Sequence, residues 1–234
     1  MIRGISHAKG IMFFSPACIS HAWNVHGQIH HQVNAYSKKG VLFECIRAFF
    51  MLPARFIIII LGSAAILIST YFFDAVPPIS FHYYLIFLFS FHFWFPKEMK
   101  KFHAAEHQVF SCRGEIRGDN LSLISKSSVI NRNCSTNVIV LFFISLFLLF
   151  LLGNVFLPAG EALAASTYIA AVLSFAALGK WFKSDKYLIK KARKISYWLQ
   201  RKVTTSIPQR IHVQTAITAY ENLKRFENEK KSGE

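Results

Sequence analysis

Lysine and arginine are missing from two long tracts of this sequence, residues 56–96 and 133–179. Within them, Phe56 to Phe73 and Val138 to Leu157 carry no charge of either sign. Each run has about the ~20 residues that cross a hydrocarbon core. Together with 53% hydrophobic residues and 24 Phe, they exclude an ordinary soluble domain and predict an integral membrane protein. Cysteine is sparse, at four residues: Cys18, Cys45, Cys112 and Cys134. All four are expected on the reducing side of the membrane, which disfavours disulfides and leaves metal ligation or inert thiols. No internal repeat and no lipidation motif is visible. Ile11-Met12-Phe13-Phe14 is too short for the apolar core of a cleavable signal peptide.

What is abundant is positive charge, a net +15, and its placement matters more than its size. The 27 Lys and Arg fall in three blocks: six before Phe56, seven from Lys97 to Arg132, and fourteen from Lys180 onward. The positive-inside bias places all three in the cytoplasm. Both termini and the central loop then face inward, so an even number of crossings lies on each side of that loop.

In chain order, residues 1–40 form a hairpin module. Cys18 to Asn24 alternates, Asn24-Val25-His26-Gly27 supplies turn chemistry, and Gln28 to Ala35 alternates again. His21, His26, His30 and His31 cluster there, as polar hairpin side chains or as metal ligands. Gly40 to Pro53 places Leu42, Ile46, Phe49 and Phe50 at helical spacing, as an interfacial helix feeding the first span. Phe56 to Phe73 is span one. Asp74 to Pro78 is an outer turn. Ile79 to Phe95 is span two, with His82 and His92 near its ends. Val138 to Leu157 and Ala162 to Leu178 are spans three and four. Between spans two and three, Leu121 to Ile130 is a short helix. Lys180 to Lys202 is a basic juxtamembrane segment suited to anionic lipid heads. RNA binding would need more evidence of base stacking, so no nucleic-acid partner is expected. After Pro208, Val213, Ala216, Ile217, Tyr220 and Leu223 form the apolar stripe of a last helix that packs on the cytoplasmic cap. Residues 227–234 are expected to be disordered.

The chemistry-bearing stretch is Lys97 to Ser111, which reads His103-Ala104-Ala105-Glu106-His107 in its middle. Residues four apart share a helix face, so two imidazoles could grip one metal ion, with Glu106 on the same stripe. This H-x-x-E-H order is a metallohydrolase pattern. The plain alternative is a hydrogen-bonded polar face on a surface helix. A metal site needs a third protein ligand. Cys134 is the first choice, because a thiolate binds Zn²⁺ well and the residue sits at the same membrane face as His107. Cys112, Glu115 and Asp119 are alternatives. Glu106 would act as general base, or serve as a ligand itself.

Two motifs, Phe102-His103-Ala104-Ala105-Glu106-His107 and Cys134-Ser135-Thr136 running into a span, resemble the YqhQ-like family of bacterial membrane proteins. That family is of unknown function and is often labelled a metal-dependent enzyme. Gly10-Ile11-Met12, Leu199-Gln200, Thr204-Thr205, Pro208 and Ala216 to Leu223 add weaker matches along almost the whole chain. The resemblance also has departures. Asn131 stands where the family has a histidine, Asn133 where it has arginine, Ser135 where it has glycine, Gln108 where a lysine is common, and Lys9 where an acid is. Three candidate ligands remain: His103, His107 and Cys134.

The expected fold is mainly α. It is a four-span transmembrane helical protein with a small cytoplasmic α+β cap carrying the N-terminal β-hairpin. The expected segments are the hairpin module (1–40), interfacial helix and spans one and two (41–96), the His-x-x-Glu-His loop (97–137), spans three and four (138–179), and the basic tail (180–234). The expected function is a divalent-metal site, zinc by its donors, at the cytoplasmic face of a bacterial inner membrane. It would serve hydrolysis of a membrane-associated substrate, with a further membrane-protein partner or homo-oligomer in prospect. The alternative is a non-catalytic membrane subunit or scaffold.

Overall fold

The computed structural model describes residues 2–73, 79–176 and 186–232. The Asp74 to Pro78 turn, the end of the fourth predicted span and the start of the basic segment lie outside those residues. The chain divides into two compact units.

The first unit comprises residues 1–57, 95–131 and 205–234. Its frame is an antiparallel meander of β1 (Arg3–His7), β2 (Gly10–Phe14), β3 (Cys18–Val25) and β4 (Gln28–Ala35), in that spatial order. The predicted hairpin is present as β3 and β4, joined where His26 (φ 50°) and Gly27 (φ 87°) both enter the left-handed region. Two consecutive positive φ values match the twist of the flanking strands, and the Gly27 amide donates to Asn24 Oδ1 at 2.9 Å. The expected two-stranded module is corrected to four strands, because β1 and β2 complete a sheet that a lone hairpin could not stabilise.

Alternation gives the sheet two working faces. One carries Ile11, Phe13, Cys18 and Ala22. These pack with Phe102, Ala105 and Val109 of α4 (Lys97–Ser111) and with Val213, Ala216, Ile217 and Leu223 of α9 (Arg210–Ser232). Phe13 anchors this core, edge-on to Phe110 at 5.2 Å and to Tyr220 at 5.7 Å. The other face meets α1 (Lys38–Phe50), whose Ser37 N-cap accepts from the Gly40 amide at 2.9 Å. The last helix docks as expected, but it continues through Ser232 where a disordered tail is predicted. Lys224 and Glu227, 2.9 Å apart one turn along, support that extension.

The second unit comprises residues 58–94 and 132–204. It holds most of α2 (Ala54–Ser69), then α3 (Phe81–Phe91) with a 3₁₀ turn at His92–Trp94, α6 (Thr136–Gly153), α7 (Ala159–Ala176) and α8 (Tyr187–Leu199), which ends in a π-helical turn at Gln200–Thr204. Phe89 stacks on Phe142 with ring centres 3.9 Å apart, within a core of Val138, Leu146 and Ala170. Small residues let α7 approach α6 closely, and a Cβ at Gly153 would touch Ala162 at 3.4 Å. Outward, the unit is apolar: Phe147, Leu148, Leu152, Val172 and Phe175 are all exposed.

Among the described residues, α6 and α7 are each long and apolar enough to cross a membrane, and α1 with α2 would make a third crossing if that bent pair is one broken span. The predicted second span is shorter than expected, at 11 helical residues in α3 plus the 3₁₀ turn. The short loop helix is also curtailed, to α5 (Leu121–Ser125).

Candidate metal centre

Helix α4 begins directly after Pro96, which cannot continue a preceding helix but suits a first turn, and Glu98 sits favourably in that turn. Every residue from Phe102 to Val109 is buried. Phe102, Ala105 and Val109 face the sheet-and-α9 core, and His103 and His107 lie side by side on another face, their rings tilted at 57° with centres 4.2 Å apart. The four-residue spacing therefore does bring the two imidazoles together.

His107 is the more fully specified of the pair. Its Nδ1–H donates to the Val129 carbonyl at 2.5 Å, which fixes the tautomer and leaves the Nε2 lone pair unprotonated. That Nε2 is buried and has no hydrogen-bond partner among the described residues. An orphaned imidazole nitrogen in the interior is costly in water-free surroundings, and a metal ion is one group that would satisfy it. The segment that supplies the carbonyl is held at three points. Gln108 Nε2 donates to Ser125 O at 2.7 Å, His107 to Val129 O, and Ser111 Oγ to Ile130 O at 3.0 Å.

Glu106 is buried and engaged on two sides. Ser6 of β1 donates its hydroxyl to Oε2, and His103 Nδ1 lies 3.4 Å from the same oxygen. Burial alone would raise its pKa. The His103 hydrogen bond, the charge-favouring imidazoles and the Ser6 hydroxyl outweigh it and hold the carboxyl below the usual carboxylate range. Gly4 permits this arrangement: a Cβ there would sit 2.6 Å from Glu106 Oε1. Ser6 and Gly4 are two site residues that the sequence does not reveal. Neither belongs to a motif, and Ser6 lies 100 residues from its partner.

Cys134 belongs to the second unit and is buried one residue before the N-cap of α6. The Thr136 amide points at its sulfur at 3.4 Å and Thr136 Oγ1 lies at 3.2 Å. Thr136 Oγ1 also meets His92 Nε2 at 2.8 Å and Thr204 Oγ1 at 3.4 Å. The sulfur is thus one member of a buried polar cluster in that unit. His103 and His107 of the first unit and Cys134 of the second are each buried, and each offers one ligand atom. Two imidazoles and a thiolate are the donor set of zinc sites that keep a fourth position open.

The alternatives to Cys134 lie elsewhere. Glu115 is exposed, with a carboxylate oxygen 3.7 Å from Arg117. Asp119 is on an exposed 3₁₀ turn. Cys112 packs at the edge of the first unit's core. Of the other histidines, His21 binds Glu44 inside the first unit, His26 and His31 are exposed, and His30 stacks on Trp23 at 5.9 Å.

The chain therefore has a sheet-backed α4 in its first unit and, in its second, two apolar helices, α6 and α7, long enough to cross a membrane. The particular family follows from its sequence: the chain belongs to DUF1385, a family of proteins of unknown function, whose model matches residues 1–225. No curated protein and no solved structure matches it.

Proposed function

We propose that His103, His107 and Cys134 hold a divalent metal ion, zinc by the donor set, at the cytoplasmic surface of a bacterial inner membrane. The observation that carries this reading is His107, whose ring is pinned by Val129 and whose buried Nε2 has no hydrogen-bond partner among the described residues. Metal-ligating histidines characteristically donate their other ring N–H to a carbonyl or carboxylate, and both patterns are here: Val129 for His107, Glu106 for His103. The third ligand is supported by chain length. Ile130 is tied to Ser111, and four further residues span at most about 14 Å, so Cys134 stays tethered near α4.

A divalent ion in this group would supply Lewis acidity for hydrolysis of a membrane-associated substrate. In this reading Glu106 orients His103, Ser6 and Gly4 orient Glu106, and the Thr136 amide holds the sulfur. The membrane setting rests on the apolar faces of α2, α3, α6 and α7 as four spans and on the three cytoplasmic blocks of Lys and Arg, and it agrees with the YqhQ-like reading of the family. Metal analysis of the purified full-length protein tests the proposal. About one zinc per chain, lost in His103→Ala, is expected; no bound metal in either ends it.

A second reading, a non-catalytic membrane subunit, draws on one observation: Glu106 is engaged by both Ser6 and His103 and is only 5% exposed, a poor position for a general base. Here a phenotype would survive Glu106→Gln but not neutralisation of Lys190, Lys191, Arg193 and Lys194 on α8. Truncation of the tail does not serve as the test, because α9 is part of the first unit's core.

A further inference from the structure

Helix α1 has its polarity inverted. Its buried residues are Glu44 and Ala48, while Leu42 (62% exposed), Phe43 (65%), Ile46 (48%) and Phe50 (64%) form an outward apolar stripe. Glu44 is the one acidic residue among residues 1–73, and it points inward. An outward stripe of this kind would be a liability in water, where a helix turns its apolar side to the core.

The inward side explains why the helix cannot simply roll over. A directed hydrogen-bond chain crosses the sheet face beneath it. The Lys9 amide donates to His7 Nδ1 at 3.4 Å, which puts the His7 proton on Nε2. That nitrogen lies 2.8 Å from His21 Nε2, which must then accept, so His21 carries its proton on Nδ1 and donates to Glu44 Oε2 at 2.7 Å. Arg47 reaches the other Glu44 oxygen at 3.8 Å and lies over the Trp23 ring at 4.4 Å. Burial first, then His21, Arg47 and Lys9, pushes the His7 pKa down to about 3, which keeps that ring neutral and the chain intact. Releasing Glu44 would strand a buried histidine pair, so the clamp fixes which side of α1 faces out.

We propose that α1 lies in the plane of the bilayer at the headgroup boundary, with Leu42, Phe43, Ile46 and Phe50 in the acyl region, and that the Glu44–His21–His7 chain sets that orientation. Lys38 and Lys39 flank the stripe at its exposed N-terminal end and complement anionic headgroups. A second copy of the chain fits worse, because the helix offers no outward acid to pair with the other copy's Lys38 and Lys39, whereas anionic headgroups supply that charge. Continuity supports the same occupant: after Pro53 the chain enters α2, another helix with an exposed apolar surface, at Ile58, Ile59 and Leu61 among others. The inference shares only the membrane setting with the proposed function and is independent of the metal.

The test places photoreactive benzoylphenylalanine at position 43 of the full-length protein in vesicles of phosphatidylcholine and phosphatidylglycerol. Position 228, exposed on α9, is the control. Irradiation is expected to give lipid adducts at 43 several-fold above those at 228, and Glu44→Gln is expected to reduce them. Equal lipid yields at the two positions, or protein–protein adducts predominating at 43, would overturn the bilayer assignment. An unchanged yield in Glu44→Gln would overturn the clamp. Loss of zinc binding in a His103→Ala control changes none of these adducts. Extraction of the intact protein without detergent would remove the membrane setting itself.

Discussion

His107 gives its Nδ1 proton to the carbonyl of Val129, 22 residues on, at 2.5 Å, and so keeps a buried Nε2 lone pair with no hydrogen-bond partner among the described residues. One interaction both spends and prepares the ring. Replacing His107 with Gln keeps a polar side chain but not the aimed nitrogen, and zinc affinity is expected to fall by at least about 10–100-fold, the scale of lesser, outer perturbations of metal sites. Competition with a chromogenic chelator measures it; unchanged affinity would remove His107 from the ligand set.

Glu106 and Gly4 should behave as one device. Glu106→Gln retains the shape but weakens the pull on His103, and a loss of about 10–100-fold in zinc affinity is expected. Gly4→Ala forces a Cβ to within 2.6 Å of Glu106 Oε1, so it should reproduce that loss with little change in thermal midpoint. The double variant should add nothing to either, since residues in one network are not additive. Additive losses in the chelator titration would separate the two residues.

Gly10 tests packing rather than the site. A Cβ there would lie 2.1 Å from the Ala22 carbonyl oxygen and 2.6 Å from Trp23 Cα, both backbone atoms. Backbone cannot yield as a side-chain tip can, so Gly10→Ala should cost about 1–3 kcal/mol or more and lower the thermal midpoint of the detergent-solubilised protein. A midpoint like that of the parent would mean that β2 and β3 are more pliable than their pairing implies.

Acid should open the sheet through His7. Its folded pKa of about 3 lies below the ordinary 6.5, so above pH 6.5 neither state holds the proton. As the pH falls from 6.5 toward 3, the unfolded chain takes up a proton that the fold refuses. The stability that neutral His7 secures is complete above the unfolded value and is lost on acidification, at no more than about 1.4 kcal/mol per pH unit for one proton. Lowered His21 and Glu106 values act in the same direction. Amide hydrogen exchange of β1 and β3 should accelerate between pH 6 and pH 4 beyond its intrinsic rate, and His7→Gln should flatten part of that dependence.

The parts of the molecule that could be read beforehand share a physical cause. Helix α4 was legible because Pro96 marks its start and the His103/His107 spacing marks its face. The β3–β4 hairpin was legible because Asn24 and Gly27 carry turn chemistry. Strand β2 was not: Ile11-Met12-Phe13-Phe14 has both faces covered, Phe13 toward α9 and Met12 on the α1 side, so it shows no alternation. Ser6, Gly4 and Val129 serve the site through contacts distant in sequence, and such contacts leave no local pattern. The helical run past residue 227 was hidden by a polar composition that suits either a solvated tail or an exposed helix held by close ion pairs.

The most direct test of the central claim is X-ray absorption at the zinc edge on the full-length protein loaded with one equivalent of zinc. Two nitrogen ligands near 2.0 Å and one sulfur near 2.3 Å are expected, with the sulfur shell lost in Cys134→Ser and one nitrogen lost in His107→Ala. A spectrum without sulfur, or one indifferent to both substitutions, would contradict the account.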